Sequence, residues 1–294
     1  MNKSIKSNLL NKILPDVLYE DGFYIDGKKL PFYSYCNPNI EANWSDEMSD
    51  FLEETSRNHF IDIYNRKIAI DGIKEKLINR ETNYLDIGCS SGYLLEEISS
   101  AFPEVNLIGS DYSGISLIHC HKRLPSIPLF QIDLVDCPFE DNFFDAITCL
   151  NVLEHIQKDF DAIKQLQRII KPDGSLVITV PVGQHLYDMY DETHYHIRRY
   201  NLKELMQKVT DTGLKIIKIN YFGVFIYPLF FLVKKLNKLR YDKLSFEEKM
   251  EKMVKQAKIT ERSMLMENLC FLEKYIGQNI RYPFGIRGYI YATK

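Results

Sequence analysis

The most constraining stretch of this chain is Tyr84-Leu85-Asp86-Ile87-Gly88-Cys89-Ser90-Ser91-Gly92-Tyr93-Leu94-Leu95. It reads as a short buried strand ended by an acid, a turn bracketed by two glycines, and the opening of a helix. A strand that feeds a helix through a glycine turn lets a doubly wound α/β domain bring backbone close to a nucleotide-like ligand. The residues that follow keep the same alternation. Strand-like runs at 84–88, 105–111, 128–133, 144–150, 175–181 and 214–219 alternate with helical patterns ending at Phe102, at about 114–124, from Asp159 to Ile170, and at about 201–212. A last strand-like run covers Ile286 to Ala292. The spacing predicts an α/β fold: a doubly wound, mostly parallel sheet of seven strands with helices on both faces.

The ends of the chain depart from that rhythm. Residues 1–79 carry a hairpin signal, Asp26-Gly27 between strand-like runs, and then a helical pattern from about Ser45 to Leu77. That helix either packs on the sheet edge or forms a lid whose aromatics close over a substrate. Residues 80–222 form the ligand-binding core, 223–282 an apolar and basic helical insertion, and 283–294 the final strand.

Composition narrows the function classes. Of the residues 45% are hydrophobic and 26% charged, which suits a globular domain with a sizeable core. The formal net charge of -3 argues against a nonspecific nucleic-acid binder. The six cysteines show no CxxC pairing and no histidine spacing suited to zinc, so they read as buried thiols and no metal is expected. The N-terminal residues lack the apolar core of a signal peptide, and a cytoplasmic location is the expectation.

The identity of the ligand turns on the glycines. A nicotinamide-binding turn would read G-x-G-x-x-G, whereas here Gly88 and Gly92 enclose three residues with Ser90 in the middle. The run Asp86-x-Gly88-x-Ser90-x-Gly92 resembles the first motif of the class I, Rossmann-like S-adenosylmethionine-dependent methyltransferases, of the kind that act on small molecules. Four further matches follow in order. Asp111, with Tyr112 after it, ends the second strand. The run Asp133-Leu134 to Asp145 is similar to the family's third motif, Leu150-Asn151-Val152-Leu153-Glu154-His155 to its fourth, and Ile170-Lys171-Pro172-Asp173-Gly174 to the turn into its fifth strand.

The resemblance implies S-adenosyl-L-methionine as cofactor and S-adenosyl-L-homocysteine as product. It implies a cofactor site built from Asp86, Gly88, Ser90, Gly92, Asp111, Tyr112, Asp133, Leu134, Leu150 and Asn151. In it Asp111 takes the ribose hydroxyls, Asp133 the adenine amino group, and the residues after the fourth strand the methionine part. The acceptor would meet the methyl group near 151–155 and 182–200.

The polar loop from His185 to Tyr200 carries the richest chemistry. Its end, His196-x-Arg198-Arg199-Tyr200, is similar to a G-H-x-R-R-Y element of the same family, with Tyr195 in place of the glycine. His196 is the first candidate base, His194 the second and His155 the third. Each could instead stitch the loop to the sheet. Arg198, Arg199 and Tyr200 are candidate substrate ligands, since Arg offers a bidentate fork to a carboxylate or phosphate. The other reading pairs the arginines with Asp188, Asp191 or Glu192.

The run Tyr221 to Val233 is the most apolar in the chain, and Lys234, Lys235, Lys238, Arg240 and Lys243 follow it. It is too short to span a bilayer. Packing against a helix at about 245–280, a homodimer contact, or contact with a membrane surface or lipid-linked substrate all fit such a segment.

The expected function is therefore methyl transfer to oxygen or nitrogen of a small molecule or saccharide, with no nucleic-acid partner. Cofactor chemistry of another kind, such as cyclisation or aminocarboxypropyl transfer, and a noncatalytic partner subunit are the alternatives.

Overall fold

The structure is a computed structural model that describes residues 9–36, 57–78, 81–260, 264–277 and 280–294. Strands β1 (Leu18–Tyr19), β2 (Phe23–Ile25) and β3 (Lys28–Leu30) form a small antiparallel sheet. The expected hairpin joins β2 to β3, with Asp26 and Gly27 both at positive φ, as a two-residue turn of that hand requires. β4 (Tyr33–Ser34) leaves this sheet and joins the large one.

Then come α1 (Phe60–Leu77), β5 (Asn83–Ile87), α2 (Tyr93–Ala101), β6 (Asn106–Asp111), α3 (Gly114–Arg123), β7 (Leu129–Gln131), β8 (Phe144–Leu150) and α4 (Asp159–Ile169). The chain continues through β9 (Ile170–Pro181), α5 (Met189–Thr193), α6 (Leu202–Asp211), β10 (Lys215–Phe222), α7 (Tyr227–Tyr241), α8 (Phe246–Thr260), α9 (Met264–Gly277) and β11 (Arg287–Thr293).

The large sheet runs β10-β11-β9-β8-β5-β6-β7-β4. The seven expected strands are present, and β4 adds an eighth, parallel to β7. Only β11 runs against its neighbours β9 and β10. Both faces are covered, which is why the central strands read as unbroken apolar runs. Leu85 and Ile87 of β5 join Ile163, Leu166, Leu205 and Val209 of α4 and α6 on one face. Tyr84 joins Ala69, Ile73, Leu95 and Leu117 of α1, α2 and α3 on the other.

Two expectations are refined here. The turn Lys171–Gly174 does not precede the fifth core strand but bulges out of it: Phe144 pairs with Ile170 while Ala146 pairs with Ser175, and Asp173 sits at φ +61°. Helix α1 is a core element rather than a lid. It presses so close to the sheet that a Cβ on Gly72 would lie 2.4 Å from Val177. The earlier part of that expected helix, Ser45 to Leu52, lies outside the described residues.

Candidate active site

The glycine turn sits at the carboxyl edge of β5, beside the ends of β6 and β8. Gly88 and Cys89 both donate to the Ser110 carbonyl, at 2.8 and 2.9 Å, tying the turn to β6. Gly88 lies at φ +72° and its missing Cβ would stand 2.3 Å from Val152, so the loop after β8 closes against it. Gly92 lies at φ +82° and is crowded by Cys120 of α3. A side chain at either position would force the two loops apart.

Asp111 accepts the amides of Ser90 and Ser113, at 2.9 and 2.8 Å. Each of its oxygens keeps a lone pair for a further donor. Burial raises its pKa, and those backbone donors partly offset the rise. Asp86 is buried and accepts from the Thr148 hydroxyl at 2.7 Å. Burial pushes its pKa to about 7 against that hydrogen bond. Asp133 is exposed and caps the following helical turn by accepting from the Val135 amide at 2.9 Å, with Leu134 buried beside it.

Leu150 and Asn151 close the site from β8. Asn151 is held at φ +54°, and its Oδ1 is buried without a hydrogen-bond partner among the described residues. An acceptor left unsatisfied at this edge suits a bound ammonium or amide. Glycines that admit backbone, two acids at adjacent strand ends and this open acceptor fit an aminoacyl nucleoside such as S-adenosylmethionine.

The polar loop folds over the same edge. Asp188 caps α5 in a capping box with Asp191. Asp191 accepts from His196 Nδ1 at 2.9 Å, Arg199 Nε at 2.8 Å and Lys234 Nζ at 3.2 Å. Burial alone would raise the Asp191 pKa, but Lys234, His196 and Arg199 together hold it well below the carboxylate range. The bond from Nδ1 leaves His196 Nε2 facing Glu154 Oε1 at 3.9 Å. Burial lowers the His196 pKa and Asp191 pulls it back up.

Glu154 is fully buried, and neither of its oxygens has a hydrogen-bond partner among the described residues. Burial raises its pKa to about 8, with Arg287 and Arg199 opposing. Donor atoms of Glu154, His155 and His196 lie within 4.8 Å of one another. Donors held at 2.0–2.2 Å around one tetrahedral ion stand roughly 3.4 Å apart, so this looser set between two guanidinium groups suits proton chemistry better than a dication.

The other sequence candidates have protein partners. His194 Nδ1 lies 2.7 Å from the Tyr190 carbonyl and its ring stacks on Tyr190, and burial lowers its pKa to about 3. His155 meets the His196 ring edge-on at 4.8 Å. Arg199 is buried on Asp191, Arg198 pairs with Asp159 at 2.8 Å, and the Tyr200 hydroxyl donates to Leu153 O and Asp159. The structure thus places the arginines in intramolecular pairs, the second of the two readings above, although Arg198 finds Asp159 rather than a loop acid.

Sequence reasoning missed Lys234 and Asn237. Both are buried, and both bond Asp188. Their only advance signal is polarity at positions three apart on the face that also carries Tyr227 and Phe230.

A cavity of about 580 Å³ opens beside this loop, lined by Gln184, His185, Arg199, Tyr221, Tyr227 and Phe284 among others. No residue of the glycine turn lines it, and none of His155, His194 and His196 does.

A sheet in this order, with a glycine turn and acids at the ends of β5 and β6, defines the class I, Rossmann-like S-adenosylmethionine-dependent methyltransferase fold. Residues 52–219, more than half of the chain, match the model of the family described as methyltransferase domain, and the chain belongs to that family.

A Mycobacterium tuberculosis protein named as a probable S-adenosylmethionine-dependent methyltransferase is 25% identical over 132 residues, 44% of this chain and 47% of its own length. The demethylmenaquinone methyltransferase of Staphylococcus carnosus is 30% identical over 128 residues, 40% of this chain and 53% of its own. The chain thus spans about half the length of these curated relatives. The crystal structure of the [4+2]-cyclase SpnF shares the fold at TM-score 0.50 and 14% identity, over 99% of this chain and 93% of that one.

Proposed function

We propose that this chain transfers a methyl group from S-adenosylmethionine to an oxygen or nitrogen of a small molecule or saccharide, with His196 as the proton acceptor. When bound, the cofactor supplies a sulfonium-activated methyl group and leaves as S-adenosylhomocysteine. Asp111 receives the ribose hydroxyls, Asp133 and Leu134 the adenine, and Gly88, Ser90, Gly92 and Asn151 the aminoacyl end.

The observation that carries the proton-acceptor reading is the Asp191–His196 pair. Asp191 fixes the tautomer by accepting a hydrogen bond from Nδ1–H, so Nε2 keeps its lone pair and faces the loop after β8. Burial keeps the imidazole neutral and ready to accept a proton as the methyl group is transferred. Ile197 N donates to Glu154 O, which locks the loop to the residues that follow β8. Arg198, Arg199 and Tyr200 then act as scaffold. The cavity supports a saccharide acceptor, because the aromatic side chains Tyr221, Tyr227 and Phe284 line it together with the polar Gln184, Asn201 and Glu204. The net charge of -3 disfavours nucleic acid.

The test is a screen of metabolite extracts with methyl-labelled cofactor, followed by His196→Ala on the acceptor found. Turnover should fall by about 10²–10⁴-fold with cofactor affinity unchanged. Turnover near the wild-type rate would remove His196 from the mechanism.

A further inference from the structure

Helix α7 turns two polar residues inward and its leucines outward. Behind Tyr227 and Phe230, which pack on the core, the inward positions are Lys234 and Asn237, buried on Asp188, while the leucines face solvent: Leu229 is 53% exposed, Leu232 52%, Leu236 36% and Leu239 75%. Their spacing of three, four and three residues sets them in one stripe along the helix. The exposed cation Lys235 flanks the stripe on one side and Arg240 on the other, and residues 227–241 contain no acid. The helix cannot roll to hide the leucines. Glu273 accepts the amides of Gly223, Val224 and Phe225 just ahead of its first turn, and Lys234 pins its middle to Asp188 and Asp191.

We infer that this face docks on an anionic bilayer surface, with the leucines in the headgroup–acyl boundary and the cations on the lipid phosphates. A helix whose exposed apolar stripe is flanked by cations and which carries no acid has the composition of an interfacial helix. A second copy of the chain is a poorer occupant, since a two-fold contact through α7 brings together two acid-free helices that carry the same cations. The inference stands apart from the role of His196.

The experiment is co-sedimentation of the full chain with vesicles of phosphatidylcholine plus phosphatidylglycerol, and of phosphatidylcholine alone. The wild type should sediment with the anionic vesicles only. Lys235→Glu/Arg240→Glu should weaken that binding by roughly 30-fold or more, at about 1 kcal/mol per basic residue near the surface. Leu232→Glu/Leu236→Glu should abolish it. The substituted side chains are exposed, so circular dichroism and cofactor binding of both variants should match the wild type. Failure of the wild type to sediment, or equal sedimentation of wild type and variants, overturns the inference. So does a wild-type dimer in light scattering that Leu232→Glu/Leu236→Glu dissolves, because the stripe would then be a self-contact.

Discussion

Glu154→Gln should stabilise the protein, and increasingly so as the pH rises. The carboxyl is fully buried, neither of its oxygens is bonded among the described residues, and its pKa stands at about 8 against an ordinary 4.5. The sign follows from that direction. In the unfolded chain the group ionises from about pH 4.3 upward, while in the folded protein it stays protonated until about pH 8. Between those limits the unfolded state releases a proton that the folded state keeps, so stability falls as pH rises and the loss is complete above the folded pKa. Moving a carboxyl from 4.5 to about 8 corresponds to ~5 kcal/mol at full ionisation, at 1.36 kcal/mol per tenfold change.

The attraction of Arg287 and Arg199 is already contained in that shift, and the amide of Gln leaves unsatisfied groups of its own, so the net gain above pH 8 is of the order of 2–4 kcal/mol. Urea unfolding of both proteins at a series of pH values from 5 to 9 measures it. The difference should be small at the acid end and widen steadily towards the alkaline end. A difference that is flat with pH, or a variant less stable at every pH, would refute the view that Glu154 is an unsatisfied buried acid.

Two further outcomes follow from the same site. Asp111→Ala should remove detectable S-adenosylmethionine binding in calorimetry while leaving the fold intact, and retained affinity would mean that this acid does not carry the ribose. Lys234→Met should destabilise by about 3–5 kcal/mol, because it leaves Asp188 and Asp191 buried without their ammonium partner. A change of urea midpoint equivalent to less than ~1 kcal/mol would show that Arg199 and Asn237 suffice for both acids.

The cofactor half of the site was legible in sequence because its chemistry is local. Gly88 and Gly92 need positive φ within one turn, Asp111 ends its own strand and Asp133 caps the turn just after β7, so a handful of consecutive residues carry each part. The acceptor half is assembled from afar. His196 stands out as a histidine, but what makes it a plausible base is Asp191, and what holds Asp191 ionised is Lys234, 43 positions further along. Likewise β4 offers two residues of no distinctive pattern, and only the exposed edge of β7, 97 positions away, makes them a strand.

Helix α7 shows the limit of periodicity most clearly. Leucines at 229, 232, 236 and 239 mark a buried face by every rule of amphipathic helices, yet of the apolar run only Phe222, Ile226, Tyr227 and Phe230 pack, as expected, against the 245–280 region, on Met266, Leu269 and Cys270. Two buried acids reverse the orientation. An uncompensated carboxylate in a protein interior costs several kcal/mol, whereas a half-exposed leucine forfeits only part of the 1.5–3 kcal/mol its burial would contribute. With Asp188 and Asp191 both needing donors, turning Lys234 and Asn237 inward wins, and the leucines are left outside. The charges of the active-site loop therefore decide which face the insertion shows to its surroundings. A change in that loop, such as replacing Asp188 and Asp191 together by Asn, should loosen α7 as well as the histidine it holds.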